Sequence, residues 1–115
     1  MTSPKIPYSD FQKLDLRVGT IQKAEPHPDA DKLLILTVNF GKEDRESPRT
    51  IVAGIKAYYS PEQLEGKQAI FVANLEPAKL RGIESNGMIL AAVESEENIV
   101  ILTPEKPVKE GTKVS

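Results

Sequence analysis

"RTIVAGIKAYYSPEQLEGKQAIFVANL", residues 49–75, carries the pattern that decides the fold. "TIVAGI" (50–55) is short, apolar and β-branched, which predicts a strand. "SPEQLEG" (60–66) then reads as one helical turn, with Ser60 as N-cap, Pro61 at the first position and Gly66 closing it. "KQAIFVANL" (67–75) resumes as a strand. A single short helix therefore sits between two short strands, and the remaining question is how many strands flank them.

Toward the N-terminus, Leu16, Val18 and Thr20 alternate with Arg17, Gly19 and Ile21, predicting a first strand over about 15–24. "EPHPDADK" (25–32), rich in Pro and Asp, is a loop. "LLILTVNF" (33–40) is a second strand, ended by Gly41 and the charged, exposed loop "KEDRESPR". The strand over 50–55 is then the third and that over 67–75 the fourth. "MILAAV" (88–93) predicts a fifth, and "NIVILT" a sixth beyond the acidic turn "ESEEN". Short strands at regular spacing, with a short helix between strands 3 and 4, predict an all-β, five-stranded OB-fold barrel followed by C-terminal extension strands. The last stretch, "PEKPVKEGTKVS", has two prolines and cannot form a central strand. It is expected to pack along the barrel or reach a second subunit.

At 115 residues the chain is one domain's worth of core. No apolar run approaches the roughly 20 residues that span a membrane. The opening residues, with Pro4 and Pro7 and no apolar stretch, are no secretory signal and read as a mobile arm. The absence of cysteine excludes disulfides, thiolate nucleophiles and sulfur-based zinc sites, and fits a cytoplasmic location. Net charge is -2, so any nucleic-acid role must rest on a local patch. Residues 1–93 carry 12 basic and 12 acidic side chains and residues 94–115 carry 3 and 5, so the negative excess lies in the tail.

Catalysis finds little footing. His27 is the only histidine, set between two prolines beside Asp29 and Asp31, and the plain reading is a tight capped loop rather than a metal or acid–base site. Gly82 and Gly87 lack the spacing of a phosphate-binding loop. No cofactor is expected. Tyr58 and Tyr59 could offer stacking faces to bases, but packing is the favoured use.

The most distinctive polar stretch is "NLEPAKLRGIESNGMILAA", residues 74–92. Lys79 and Arg81, two apart, would share one side of an extended segment and could grip adjacent phosphates. Asn74 and Ser85 offer hydrogen bonds beside them, while Glu76 and Glu84 offset the charge. On periodicity alone this is equally a solvated loop.

Three segments in order, "DFQKLDLRVGTIQKAEPHPDADKL", "RTIVAGIKAYYSPEQLEGKQAIFVANL" and "EPAKLRGIESNGMILAA", closely resemble one family. It is the tRNA-binding domain found at the end of methionyl-tRNA synthetases, as small free-standing proteins, and in the endothelial monocyte-activating polypeptide group. The resemblance covers about residues 10–93 and extends toward "VKEGTKV". It implies a non-catalytic barrel that grips tRNA by the shape of its outer corner. It also implies that Lys32, Asn74, Lys79, Arg81, Ser85 and Met88 belong to the RNA-binding face, with Met88 open to a core role instead. A homodimer built through residues outside the barrel (94–115 and the N-terminal arm) is implied too, as is a methionyl-tRNA synthetase catalytic chain as partner. A second branch of the superfamily, dimeric export-related chaperones that bind extended peptides, shares the "DF.K.D.RVGTI" opening. That branch is the alternative, and it would leave Lys79 and Arg81 without a clear task.

Overall fold

The computed structural model describes residues 2–115. Its centre is β1 (Leu16–Pro26), which pairs antiparallel with β2 (Leu34–Asn39) on one side and with β4 (Gln68–Val72) on the other. β3 (Arg49–Ala53) extends the sheet beyond β2, and β7 (Met88–Ile89) extends it beyond β4, giving the order β3-β2-β1-β4-β7. The two outer strands are brought together by the residues just before β7. The Asn86 N–H donates to Thr50 O at 2.8 Å, and Ser85 Oγ accepts from the Val52 N–H at 2.9 Å. Five strands thus form a nearly closed antiparallel barrel, the expected OB-like architecture.

An eleven-residue strand can serve both halves of a barrel only if it bends. β1 does so through a register shift between Ile21 and Lys23, where Gln22 is the extra residue. Cross-strand partners share a face, so Gly19 beside Ala69 and Arg17 beside Phe71 face one way, and Leu16 beside Val72 and Val18 beside Ile70 the other. The interior is the Gly19 side, because a Cβ there would meet Val38 Cγ1 at 2.6 Å and the Phe40 ring at 2.9 Å. Leu16 and Val18 are buried as well, so both faces of the first half of β1 are covered. The core gathers Ile21, Leu34, Leu36, Ile51 and Phe71, with Phe40 edge-on to Phe71 at 5.4 Å between centroids.

Helix α2 (Pro61–Leu64) lies between β3 and β4 with the predicted Ser60 cap. Gln63 completes a capping box, and fully buried Leu64 plugs the barrel against the rest of the core. Tyr58 and Tyr59 lie in a turn, half-buried against the core. Tyr59 Oη accepts from the Ile101 N–H at 3.1 Å and the Tyr58 hydroxyl donates to Glu96 O, so both phenols hold the chain rather than present stacking faces.

Four features differ from the sequence expectation or add to it. A one-turn helix, α1 (Tyr8–Phe11), follows the exposed N-terminal residues. Residues 78–85 form a hairpin of β5 (Ala78–Leu80) and β6 (Ile83–Ser85). The single strand expected over 88–93 is divided: β7 stays in the barrel, while β8 (Ala91–Ser95) pairs with β9 (Asn98–Ile101) as a separate hairpin. The loop 42–49, expected to be simply exposed, is tied down by Arg49, which donates to both carboxylate oxygens of Asp44 (2.9 and 3.1 Å) and to Ala73 O at 2.7 Å. The tail does pack along the barrel: β10 (Lys113–Val114) pairs with the start of β1, and the Gly111 N–H donates to Val18 O at 2.8 Å.

Candidate nucleic-acid interface

Two loops that are far apart in sequence meet at one end of the barrel. The first joins β1 to β2 over residues 27–33 and is closed by the His27 N–H donating to Leu33 O at 3.1 Å. The second is the β5–β6 hairpin, whose two-residue connection is Arg81-Gly82 between the Leu80–Ile83 pair. Both connecting residues have positive φ, 52° and 88°, the geometry that matches the natural twist of a two-residue hairpin. Gly82 adopts it freely, whereas an arginine does so at a cost of about 1–2 kcal/mol. Arg81 has an offsetting contact: its Nε and Nη2 both donate to Asp29 O, at 3.3 and 3.1 Å.

His27 makes the second tie. It is only 4% exposed. Its Nδ1 accepts from the Asp29 N–H at 2.9 Å, which leaves the ring proton on Nε2, 3.0 Å from the Leu80 carbonyl it donates to. Both nitrogens are consumed inside the protein, consistent with a capped loop. Among the described residues no group of three or more His, Cys, Asp or Glu is placed to hold a metal ion.

The residues singled out in the sequence do not form one cluster. Lys32 is exposed on the first loop, Lys79 is exposed on β5 opposite Glu84, and Arg81 caps the hairpin tip. The tight turn begins directly after Leu80, so Lys79 and Arg81 do not lie along one extended segment as their spacing suggests. Asn74 is at the other end of the barrel. Its Oδ1 accepts from the Asp15 N–H at 2.8 Å and its Nδ2 donates to Lys13 O at 2.7 Å, so it ties the chain before β1 to the end of β4. Ser85 is buried, its hydroxyl accepting from Val52 and donating to Gly87 O at 3.2 Å, which makes it a seam of the barrel. Met88 is 46% exposed opposite Val72, so of its two candidate placements the surface one is observed.

Lys56 escapes a reading by motif. Its N–H donates to Lys32 O at 3.4 Å, which brings a second exposed lysine beside the first loop. The only local hint is its place just past strand 3, a position shared by many surface lysines. None of Lys32, Lys56, Lys79 and Arg81 enters an ion pair among the described residues.

The other end of the barrel is built oppositely. An open groove of about 1160 Å³ there is lined by four basic and four acidic side chains, including the pairs Arg17–Asp15 (2.7 Å) and Arg49–Asp44 (2.9 Å). Burial works to raise the Asp44 pKa, but hydrogen bonds from Arg49, Ser47 and the Glu46 N–H, with the Arg49 charge, outweigh it and hold the carboxyl below its ordinary value. The two arginines of this groove are already neutralised, whereas its lysines, Lys42 and Lys109, enter no ion pair among the described residues.

The chain as a whole is similar to known proteins. The family described as "Putative tRNA binding domain" matches residues 16–113. The methionine-tRNA ligase of Pyrococcus horikoshii is 56% identical over 109 residues, covering 95% of this chain and 14% of that protein. Among solved structures, a MetRS related protein from Pyrococcus horikoshii superposes with a TM-score of 0.88 at 36% identity, covering 98% of this chain and 100% of that one. Chaperone CsaA from Bacillus anthracis str. Ames superposes with a TM-score of 0.86 at 32% identity, covering 97% and 100%. The chain spans about a seventh of the length of the ligases it matches.

Proposed function

The chain belongs to the tRNA-binding domain family, a binding module without the catalytic part of a synthetase, and from that premise we propose how it engages RNA. The end of the barrel that joins the two loops takes the sugar-phosphate backbone of folded tRNA, through Lys32, Lys79 and Arg81 together with Lys56. Recognition is by shape, because a few placed cations contact phosphates and carry no base code. Asn74 and Met88 extend the face toward the opposite end, and Ser85 supports it from beneath. The observation that carries this reading is that Lys32, Lys79 and Arg81 lie exposed on two touching loops, with Lys56 beside the first, and that none of the four enters an ion pair among the described residues.

The module serves a methionyl-tRNA synthetase, as a domain, a subunit or a free-standing homologue, by raising the local concentration of tRNA. The ligase relatives support that partner. It works as a homodimer in the cytoplasm. The dimer is supported by exposed apolar side chains on the β8–β9 hairpin, Val93 (68% exposed) on one face and Val100 (46% exposed) on the other. The absence of cysteine supports a reducing compartment.

A salt titration of binding to unfractionated tRNA, with wild type beside Lys79→Ala/Arg81→Ala, tests the site. Binding should weaken by roughly tenfold or more in the double variant, and the slope of log affinity against log salt should fall by about one to two. The likeness to chaperone CsaA favours a second reading, capture of extended peptides. Suppression of aggregation that survives both substitutions, with no tRNA bound even at low salt, would select it. Sedimentation of the same samples reads the dimer.

A further inference from the structure

The remaining question at this site is what holds the two loops in register, since neither is a strand of the barrel. The hydrogen bonds form a closed circuit. The Asp29 N–H donates to His27 Nδ1, His27 Nε2 donates to Leu80 O, and Arg81, next in the chain, returns two N–H bonds to Asp29 O. The two cross-links bridge residues 53 and 52 positions apart. The base of the hairpin is anchored independently, by Ser85 and Asn86 on β3. Its tip rests on the circuit.

We infer that His27 is a positioning residue for RNA: it touches no RNA itself but pins the hairpin tip to the first loop, so that Lys79 and Lys32 meet the backbone at a set spacing. This rests on the proposed tRNA reading. The burial of His27 supports it, since a ring 4% exposed with both nitrogens engaged offers nothing to a ligand. The adjacency of the bonded atoms to the cations supports it too. Leu80, whose carbonyl receives the ring proton, follows Lys79 directly, and the loop that carries Asp29 carries Lys32. Without the pin only the exposed Arg81–Asp29 bonds join the loops, and part of their ordering falls on the binding step, a cost met from the affinity.

The Asn substitution separates this role from simple loop folding. An Asn side chain can still accept from the N–H two residues on, as turn asparagines do, but is too short to reach Leu80. His27→Asn should therefore stay folded, with a melting temperature lower by several degrees, while tRNA affinity measured well below melting falls roughly tenfold. His27→Gln, with an amide donor near the position of Nε2, should recover part of the loss. The coupling is the sharper readout. If His27 acts by placing Lys79, then Lys79→Ala should cost much less affinity in the His27→Asn background than in wild type. Trypsin should also cut at Lys79 and Arg81 faster in the variant, with other sites unchanged. Wild-type affinity in His27→Asn, or losses that simply multiply with Lys79→Ala, would overturn the inference and leave the tRNA reading standing. A wild-type protein that binds no tRNA overturns the reading itself.

Discussion

Two arginines at opposite ends of the barrel make opposite use of the same side chain. Arg49 is 9% exposed, forks onto the Asp44 carboxylate and lies 5.1 Å above the Phe40 ring. Its charge is cancelled and its planar fork does structural work. Arg81 is exposed and donates to a neutral backbone carbonyl, which positions the guanidinium without neutralising it. The difference teaches that a cation's role is set by what accepts its protons. A carboxylate partner makes it part of the frame, and a carbonyl partner leaves it available to phosphate.

Four substitutions can break or sharpen that contrast. Arg49→Ala should do most, because it strands the half-buried Asp44 carboxylate; a loss of about 3 kcal/mol or more is expected by denaturant unfolding. The salt slope of tRNA binding should stay unchanged in conditions where the variant is folded. An altered slope would mean that the groove end also meets RNA.

The acid side of the same pair comes next. The Asp44 pKa is lower folded than unfolded, so its contribution to stability is present above the ordinary carboxylate value of 3.8 and is lost as pH falls through the folded value. The stability gap between wild type and Asp44→Asn should therefore close below about pH 4. A gap that is constant with pH would show that the carboxylate charge is not what holds the loop.

Ser85→Ala tests the barrel seam. Removing a buried hydroxyl that accepts from Val52 and donates to Gly87 should cost about 1–2 kcal/mol of stability. The affinity for tRNA should be retained where the variant is folded, and a clearly weaker affinity would restore Ser85 to the contact face that the family resemblance implies for it. Lys56→Ala should have the smallest effect, a few-fold weaker binding with the slope lower by about one. No change in slope would remove Lys56 from the interface.

How much of this could be read from the chain alone varies with the range of the forces involved. The strands of β1 to β4 and the Ser60-Pro61 start of α2 follow from periodicity and capping, which act between neighbours in sequence. The β5–β6 hairpin was hidden because its turn puts Arg81, rather than Asn or Asp, before the glycine, and a long side chain at positive φ is tolerated here only through its bond to Asp29. The division of the 88–93 strand was hidden too, since Leu90 bonds to Ile70 and Leu102 across the fold.

The candidate site divides in the same way. Residue types at Lys32, Lys79 and Arg81 were legible through the family resemblance, whereas the burial of Ser85 and the nearness of Lys56 to Lys32 were not. By itself the sequence determined strands β1 to β4, the helix cap, the freedom from disulfides and a charge balance that confines any polyanion site to a patch. Only the tertiary structure decided which cations are neutralised, which face of β1 turns inward and which buried side chain joins the two loops. Those outcomes depend on carbonyls and carboxylates dozens of residues away, and local pattern carries no information about them.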